Sequence, residues 1–147
     1  VFQTLDEVGV LPEWLELEVT ESVAVMGLSH VEDSLRQLRA RGISVAIDDF
    51  GTGYSSLSYL GRLSANRLKI DHSFVWNMSS GNSRVNIPQM VIPLGHQLDM
   101  QVIAEGVETE EQLKMLRELG CDEIQGYYYG RPMPLDELLV WLKNRQG

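Results

Sequence analysis

Ile43-Ser44-Val45-Ala46-Ile47-Asp48-Asp49-Phe50-Gly51-Thr52-Gly53 is an apolar, β-branched run that ends on two adjacent carboxylates and opens into a glycine-bracketed turn. The first five residues read as a strand, so Asp48 and Asp49 stand at its carboxyl end. The same arrangement recurs on either side. Upstream, Glu18 closes Leu15-Glu16-Leu17-Glu18-Val19; downstream, Lys69 sits in Arg67-Leu68-Lys69-Ile70-Asp71 and Glu105 follows Val102-Ile103-Ala104.

Between these runs the pattern is helical. Val1 to Val8 reads as the end of a helix, and Gly9 with Pro12 turns the chain into the strand Leu15 to Val19. A helix is expected from about Val31 to Arg41, closed by Gly42. Further helices are expected over Ser56 to Leu63, Asn86 to Leu98, from the cap Thr109 to Leu119, and Leu135 to Lys143, with a short strand at Glu123 to Gln125. Pro88 suits a first turn, whereas Pro93 removes a helix hydrogen bond and predicts a kink. Ser79 to Ser83 reads as a flexible loop. Strands alternating with helices imply parallel pairing, and functional groups at strand carboxyl ends are the mark of a TIM-type β/α barrel. A closed barrel takes about 250 residues and eight strands. This chain has 147 residues and about five strands, so the α/β barrel it describes is incomplete. Its first residue, Val1 rather than Met, points to a piece of a longer protein.

The acids carry an electrostatic cost that suggests their use. Ionised carboxylates gathered at apolar strand ends repel one another and take up protons unless a cation compensates. An oxygen-only donor set with no His or Cys favours a hard ion such as Mg²⁺ or Mn²⁺ over zinc. Adjacent acids such as Asp48 and Asp49 can bridge two ions, the arrangement that splits phosphodiesters by in-line attack of water. With 21 acidic against 12 basic residues the net charge is −9, which excludes the footprint of a nucleic-acid-polymer binder and of a protein drawn to anionic membrane. The single cysteine, Cys121, excludes an internal disulfide and fits a reducing, cytoplasmic compartment. No apolar run approaches the ~18 residues of a membrane span, although a parent protein could carry an anchor elsewhere.

Five stretches carry a family resemblance: Leu17-Glu18-Val19-Thr20-Glu21-Ser22, Asp48 through Leu57, Leu68-Lys69-Ile70-Asp71, Ala104-Glu105-Gly106-Val107-Glu108-Thr109 and Gln125-Gly126-Tyr127-Tyr128. In order and spacing they resemble the motifs of the EAL domain, and residues 1–147 are similar to the carboxyl-terminal portion of one such domain. The resemblance implies a bacterial phosphodiesterase that opens cyclic di-GMP to linear pGpG with two Mg²⁺ or Mn²⁺ ions. Glu18 and Asp48 then look like ligands of a first metal, with Asp48 bridging, and Asp49 and Glu105 like the surroundings of a second. Lys69 resembles the lysine that holds the attacking water, Gln125 the glutamine near the second metal, and Glu21 the anchor of the loop Phe50 to Ser55. Asp71 and Glu108 match further motif positions, Asp71 on the substrate side.

Simpler explanations stand beside these. Asp48-Asp49 before Gly51 also fits a local Asx turn, and Glu105 and Glu108 also fit a helix dipole. Lys69 also fits a solvated strand lysine, and His30 and His96 fit ordinary surface or core residues. His72 stands where the family often has arginine. The Glu-Ala-Leu motif and an upstream asparagine are absent from these residues, which implies an isolated chain without turnover. Two alternatives to the enzyme are a non-catalytic cyclic di-GMP receptor and an oligomerisation scaffold. Unpaired sheet edges imply pairing with a second copy or with the missing amino-terminal part.

Overall fold

The structure, a computed structural model, describes residues 1–21, 23, 29–52, 60–79 and 86–145. Helix α1 (Phe2–Val8) ends at Gly9, which takes the left-handed conformation at φ 67°, and a short 3-10 turn at Pro12–Trp14 leads into strand β1 (Glu16–Thr20). Then follow α2 (Ser29–Ala40), β2 (Ser44–Phe50), β3 (Arg67–Ile70), α3 (His72–Ser79), α4 (Ile87–Gln97), β4 (Gln101–Glu105), α5 (Glu110–Glu118), β5 (Glu123–Gln125) and α6 (Leu135–Arg145). The expected helix Ser56 to Leu63 and loop Ser79 to Ser83 fall largely outside the described residues.

The five strands form one parallel sheet in sequence order, β1-β2-β3-β4-β5. Successive neighbours joined through helices make a β/α barrel segment, five of the about eight strands that closure requires. Alternation sorts the side chains. Val45, Ile47, Leu68, Ile70, Val102 and Ala104 are buried in one core with Leu35, Val75, Val91, Ile92, Leu113 and Leu116 from the helices. Each such valine, leucine or isoleucine removed from water contributes about 1.5–3 kcal/mol, so this layer holds the sheet beneath the site. The residues between them, including Glu16, Glu18, Arg67, Lys69, Ile103 and Glu123, line a concave cleft of about 690 Å³ on the opposite face.

Local chemistry fixes the element ends. Gly42, at φ 90°, closes α2 as expected, with its N–H donating to Arg39 O at 2.9 Å. Thr109 and Gln112 cap α5 reciprocally, and the Asn86 side chain caps α4. Helix α4 occupies the expected segment and runs through Pro93 from Ile87 to Gln97. Pro93 and Gln89 are both exposed, so the Gln89 carbonyl that loses its helix partner faces water.

Helix α3 occupies a segment to which the sequence reading assigns no element. Its start carries a local signal: Asp71 Oδ1 accepts from the Ser73 N–H at 3.0 Å and the Ser73 hydroxyl at 2.5 Å. Below the sheet, Asp122 Oδ2 accepts from Val102 N–H at 2.7 Å and pairs with His96 Nε2 at 2.8 Å, giving His96 a structural partner. Cys121 is a free thiol whose burial pushes its pKa up to about 11, which leaves it protonated at neutral pH. Among the described residues no helix is long and apolar enough to cross a membrane.

Candidate metal and phosphate site

Three acids from three strands converge on one cation. Lys69 Nζ on β3 lies 2.5 Å from Glu18 Oε1 on β1, 2.8 Å from Glu105 Oε1 on β4 and 3.3 Å from Asp48 Oδ1 on β2. The Lys69 side chain is only 7 % exposed, so it is no solvated strand lysine. Burial alone would push its pKa down. Hydrogen bonds to Glu105 and Glu18, with the charges of Glu105 and Asp48, outweigh burial and hold the ammonium well above the ordinary lysine range. It is therefore a permanent positive charge at neutral pH.

The neighbouring groups are set by the backbone. Asp48 and Asp49 occupy an irregular stretch of β2, where Ile47 pairs with Leu68 but Phe50 pairs with Ile70, so β2 carries one extra residue. Asp49 takes φ 55°, in the left-handed region. This is a bulge, a device that re-aims side chains beside functional sites, rather than a simple Asx turn. Asp49 is exposed beside the cluster. Gln125 stands opposite Glu105 in the β4–β5 register.

Glu21 is 2 % exposed, and its Oε2 accepts from the Gly51 N–H at 2.9 Å, across 30 residues of chain. Gly51 sits at φ 98°, and a Cβ there would come within 2.8 Å of the Phe74 ring. The bond thus holds a turn that tolerates only glycine; the rest of the loop, from residue 53, lies outside the described residues. Glu21→Ala is expected to speed hydrogen exchange at the Gly51 amide and to weaken Mn²⁺ binding about 10- to 100-fold while leaving every acid of the cluster in place. Calorimetric titration checks the affinity. Unchanged affinity would leave Glu21 a structural acid only.

Asp71 lies outside the Lys69 cluster. Its carboxylate is used at the head of α3, accepting from Ser73 and pairing at 2.9 Å with His72 Nδ1. Burial would push Asp71 up, but these bonds hold it below the usual carboxylate range. One interior group escaped sequence reasoning. Arg67, two residues before Lys69 on the same face, bridges Glu16 at 3.2 Å and Glu123 at 2.8 Å, tying β1 to β5 across the concavity. The period-2 spacing to Lys69 is the signal that would have found it.

The donor set suits a divalent cation by chemistry. Asp48 Oδ1 is buried without a hydrogen bond, near Lys69 but not in bonding geometry, and every acid of the cluster offers oxygen. Among the described residues no three acidic, histidine or cysteine side chains already enclose an ion position. The acids converge on the ammonium instead.

A parallel β/α sheet with its acids and a buried lysine at the strand carboxyl ends defines a protein of the TIM-barrel class. The EAL domain profile matches residues 1–132. The chain belongs to the EAL domain family. It is 43 % identical over 143 residues to the cyclic di-GMP phosphodiesterase NbdA of Pseudomonas aeruginosa, covering 97 % of this chain and 18 % of that protein. It superposes with a TM-score of 0.88 on the MucR phosphodiesterase of the same organism in its c-di-GMP complex, at 44 % identity over 94 % of this chain and 56 % of that one. With BlrP1 of Klebsiella pneumoniae, solved as a manganese and cyclic di-GMP complex, the TM-score is 0.78 at 34 % identity, covering 88 % of this chain and 33 % of the other. The chain spans about a fifth of the length of the curated relatives it matches.

Proposed function

We propose that residues 1–147 form the carboxyl-terminal portion of one EAL domain that hydrolyses cyclic di-GMP to linear pGpG. The observation that carries this reading is the convergence of Glu18, Asp48 and Glu105 on Lys69 at the mouth of the barrel segment. Relatives named as cyclic di-GMP phosphodiesterases and complexes with that nucleotide support the substrate.

In this reading Glu18 and Asp48 would hold a first divalent cation, Asp48 would be shared with a second, and Asp49, Glu105 and Gln125 would stand around the second. Two such ions, Mg²⁺ or Mn²⁺, supply Lewis-acid stabilisation of the phosphoryl oxygens and a water acidic enough to attack at neutral pH. Lys69 positions that water and offsets the charge that builds on the phosphate, the kind of interaction that acts mainly in the transition state. Arg67 with Glu16 and Glu123 keeps the strands at the curvature that brings Glu18 within reach of Glu105. The retained acids and lysine favour an enzyme over a receptor that has given up turnover. Strands β1 and β5, the outer strands of the described sheet, support association through those edges.

Protein carrying the complete domain is expected to convert cyclic di-GMP to pGpG in Mn²⁺ or Mg²⁺ and to stop in chelator. Chromatographic separation of the two nucleotides reads both halves. Turnover that persists in chelator would overturn the metal-dependent mechanism, and intact cyclic di-GMP after incubation with Mn²⁺ would overturn the enzyme.

A further inference from the structure

The backbone that leaves β4 is fastened on both sides. Glu105 ends the strand opposite Gln125. Two residues later Val107 is fully buried, and its backbone bonds twice to the neighbouring chain: its N–H donates to Gln125 O at 3.1 Å, and its carbonyl accepts from the Tyr128 N–H at 2.9 Å. A Cβ on Gly126 would fall 2.2 Å from that carbonyl oxygen, so the two chains lie this close because position 126 is glycine. These bonds carry the β4–β5 pairing past the strand ends and tie the backbone of Glu105 to that of Gln125.

The far end of the same stretch is held by one side chain. Gln112, in the first turn of α5 and only 4 % exposed, accepts at Oε1 from the Thr109 N–H at 3.1 Å and from the Glu108 N–H at 2.8 Å. The bond to Thr109 is half of the capping box, whose other half is the Gln112 N–H donating to Thr109 Oγ1 at 3.2 Å. The bond to Glu108 is no part of a capping box. It is the shorter of the two, and it reaches one residue further back, toward the acid site, than helix capping requires. Gly106, at φ 71°, is the joint of the stretch, and it can turn only if Val107 or Glu108 lets go.

We propose that Gln112 is a positioning residue for the acid site: by holding the Glu108 and Thr109 amides it fixes the backbone beyond β4, and with it the placement of Glu105 against Gln125 and Lys69. Glu105 Oε1 lies 2.8 Å from Lys69 Nζ, so slack entering the strand end from Glu108 is felt directly at the cluster. Outer groups that orient the ligands of a cation typically account for about 10- to 100-fold in its affinity. An amide also suits this position by charge, since the same helical turn already carries Glu110 and Glu111. The inference rests on the phosphodiesterase reading for the reaction served and adds to it a residue that touches neither substrate nor cation.

The test uses protein carrying the complete domain and reads three quantities: Mn²⁺ affinity by calorimetry, hydrogen exchange at the Glu108 amide, and turnover of cyclic di-GMP. Gln112→Met keeps the length of the side chain and removes the acceptor; it is expected to speed exchange at Glu108 and to weaken Mn²⁺ binding about tenfold, with turnover at subsaturating Mn²⁺ falling in parallel. Gln112→Glu, which can accept from both amides, is expected to bind Mn²⁺ within about threefold of wild type. Thr109→Val removes the other half of the capping box and leaves the Gln112 bonds in place, so it is expected to lower the melting temperature while keeping wild-type Mn²⁺ affinity. Should Gln112→Met not fold, Gln112→Asn, one methylene too short to reach Glu108, is expected to give the same loss. Wild-type affinity in the acceptor-free variant overturns the proposal. Equal loss in Thr109→Val overturns it too, because Gln112 then acts only through the stability of α5, and so does a Gln112→Glu protein as weak as Gln112→Met. Wild-type protein that binds Mn²⁺ without opening cyclic di-GMP removes the phosphodiesterase reading while the titrations still decide Gln112; wild-type protein that binds no Mn²⁺ removes both.

Discussion

Asp48→Asn is expected to abolish cyclic di-GMP hydrolysis by the complete domain, with a loss of at least about 10³-fold, or about 4 kcal/mol of barrier. The substitution preserves size and shape, so the β2 bulge and the surrounding core are expected to survive it. What changes is charge. Asp48 Oδ1 is buried, makes no hydrogen bond and lies 3.3 Å from Lys69 Nζ, a position in which a carboxylate is costly unless a cation uses it. An amide oxygen there offers one weak donor to one ion and cannot hold two cations close together. Both kcat and the apparent affinity for Mn²⁺ are therefore expected to fall, with a melting curve close to that of wild type. Residual turnover above a tenth of wild type, in protein that melts normally, would remove Asp48 from the bridging role.

The strands and the acids at their ends were legible because both rest on local pattern. Ile43 to Ile47 and Val102 to Ala104 are β-branched and apolar, and β3 and β5 occupy the expected residues, Arg67–Ile70 and Glu123–Gln125. The motif order was enough to name the family. What the sequence left hidden depends on register. That Lys69 reaches Glu18 two strands away, and that Arg67 spans β1 and β5, follows from sheet curvature and not from any property of the residues themselves. The extra residue that places Asp49 at φ 55° was equally invisible, because a bulge has no fixed composition outside its glycine form. Helix α3 was missed for a different reason. It is a short segment, His72–Ser79, whose stabilising features are the Asp71 bonds at its head and the burial of Val75 rather than an apolar stripe of several turns.

Lys69→Met is expected to destabilise the protein by about 3–5 kcal/mol at neutral pH in chelator, the usual cost of removing one partner from a buried ion group. Methionine keeps most of the apolar stem, so loss of packing is small and charge is the variable. In wild type the folded-state pKa of Lys69 lies above its unfolded value of about 10.4. Its stabilising contribution is thus fully present throughout the neutral range and is lost only as pH rises through the folded value. Without it, Glu18, Asp48 and Glu105 face one another uncompensated, and the repulsion among like charges held this close destabilises the folded state. The variant is therefore expected to regain stability relative to wild type as pH falls. Mn²⁺ is expected to do the same at neutral pH, raising the melting temperature of Lys69→Met more than that of wild type, because a bound cation stabilises the folded state by mass action where the ammonium no longer competes. Turnover is not expected to return with the metal, since the water-positioning charge is gone; cyclic di-GMP binding is expected to suffer far less than kcat. Melting curves from pH 8 to pH 4, with and without Mn²⁺, separate the alternatives. A variant as stable as wild type in chelator, or one that gains nothing extra from Mn²⁺, would show that the ammonium is not the counter-charge of the acid cluster.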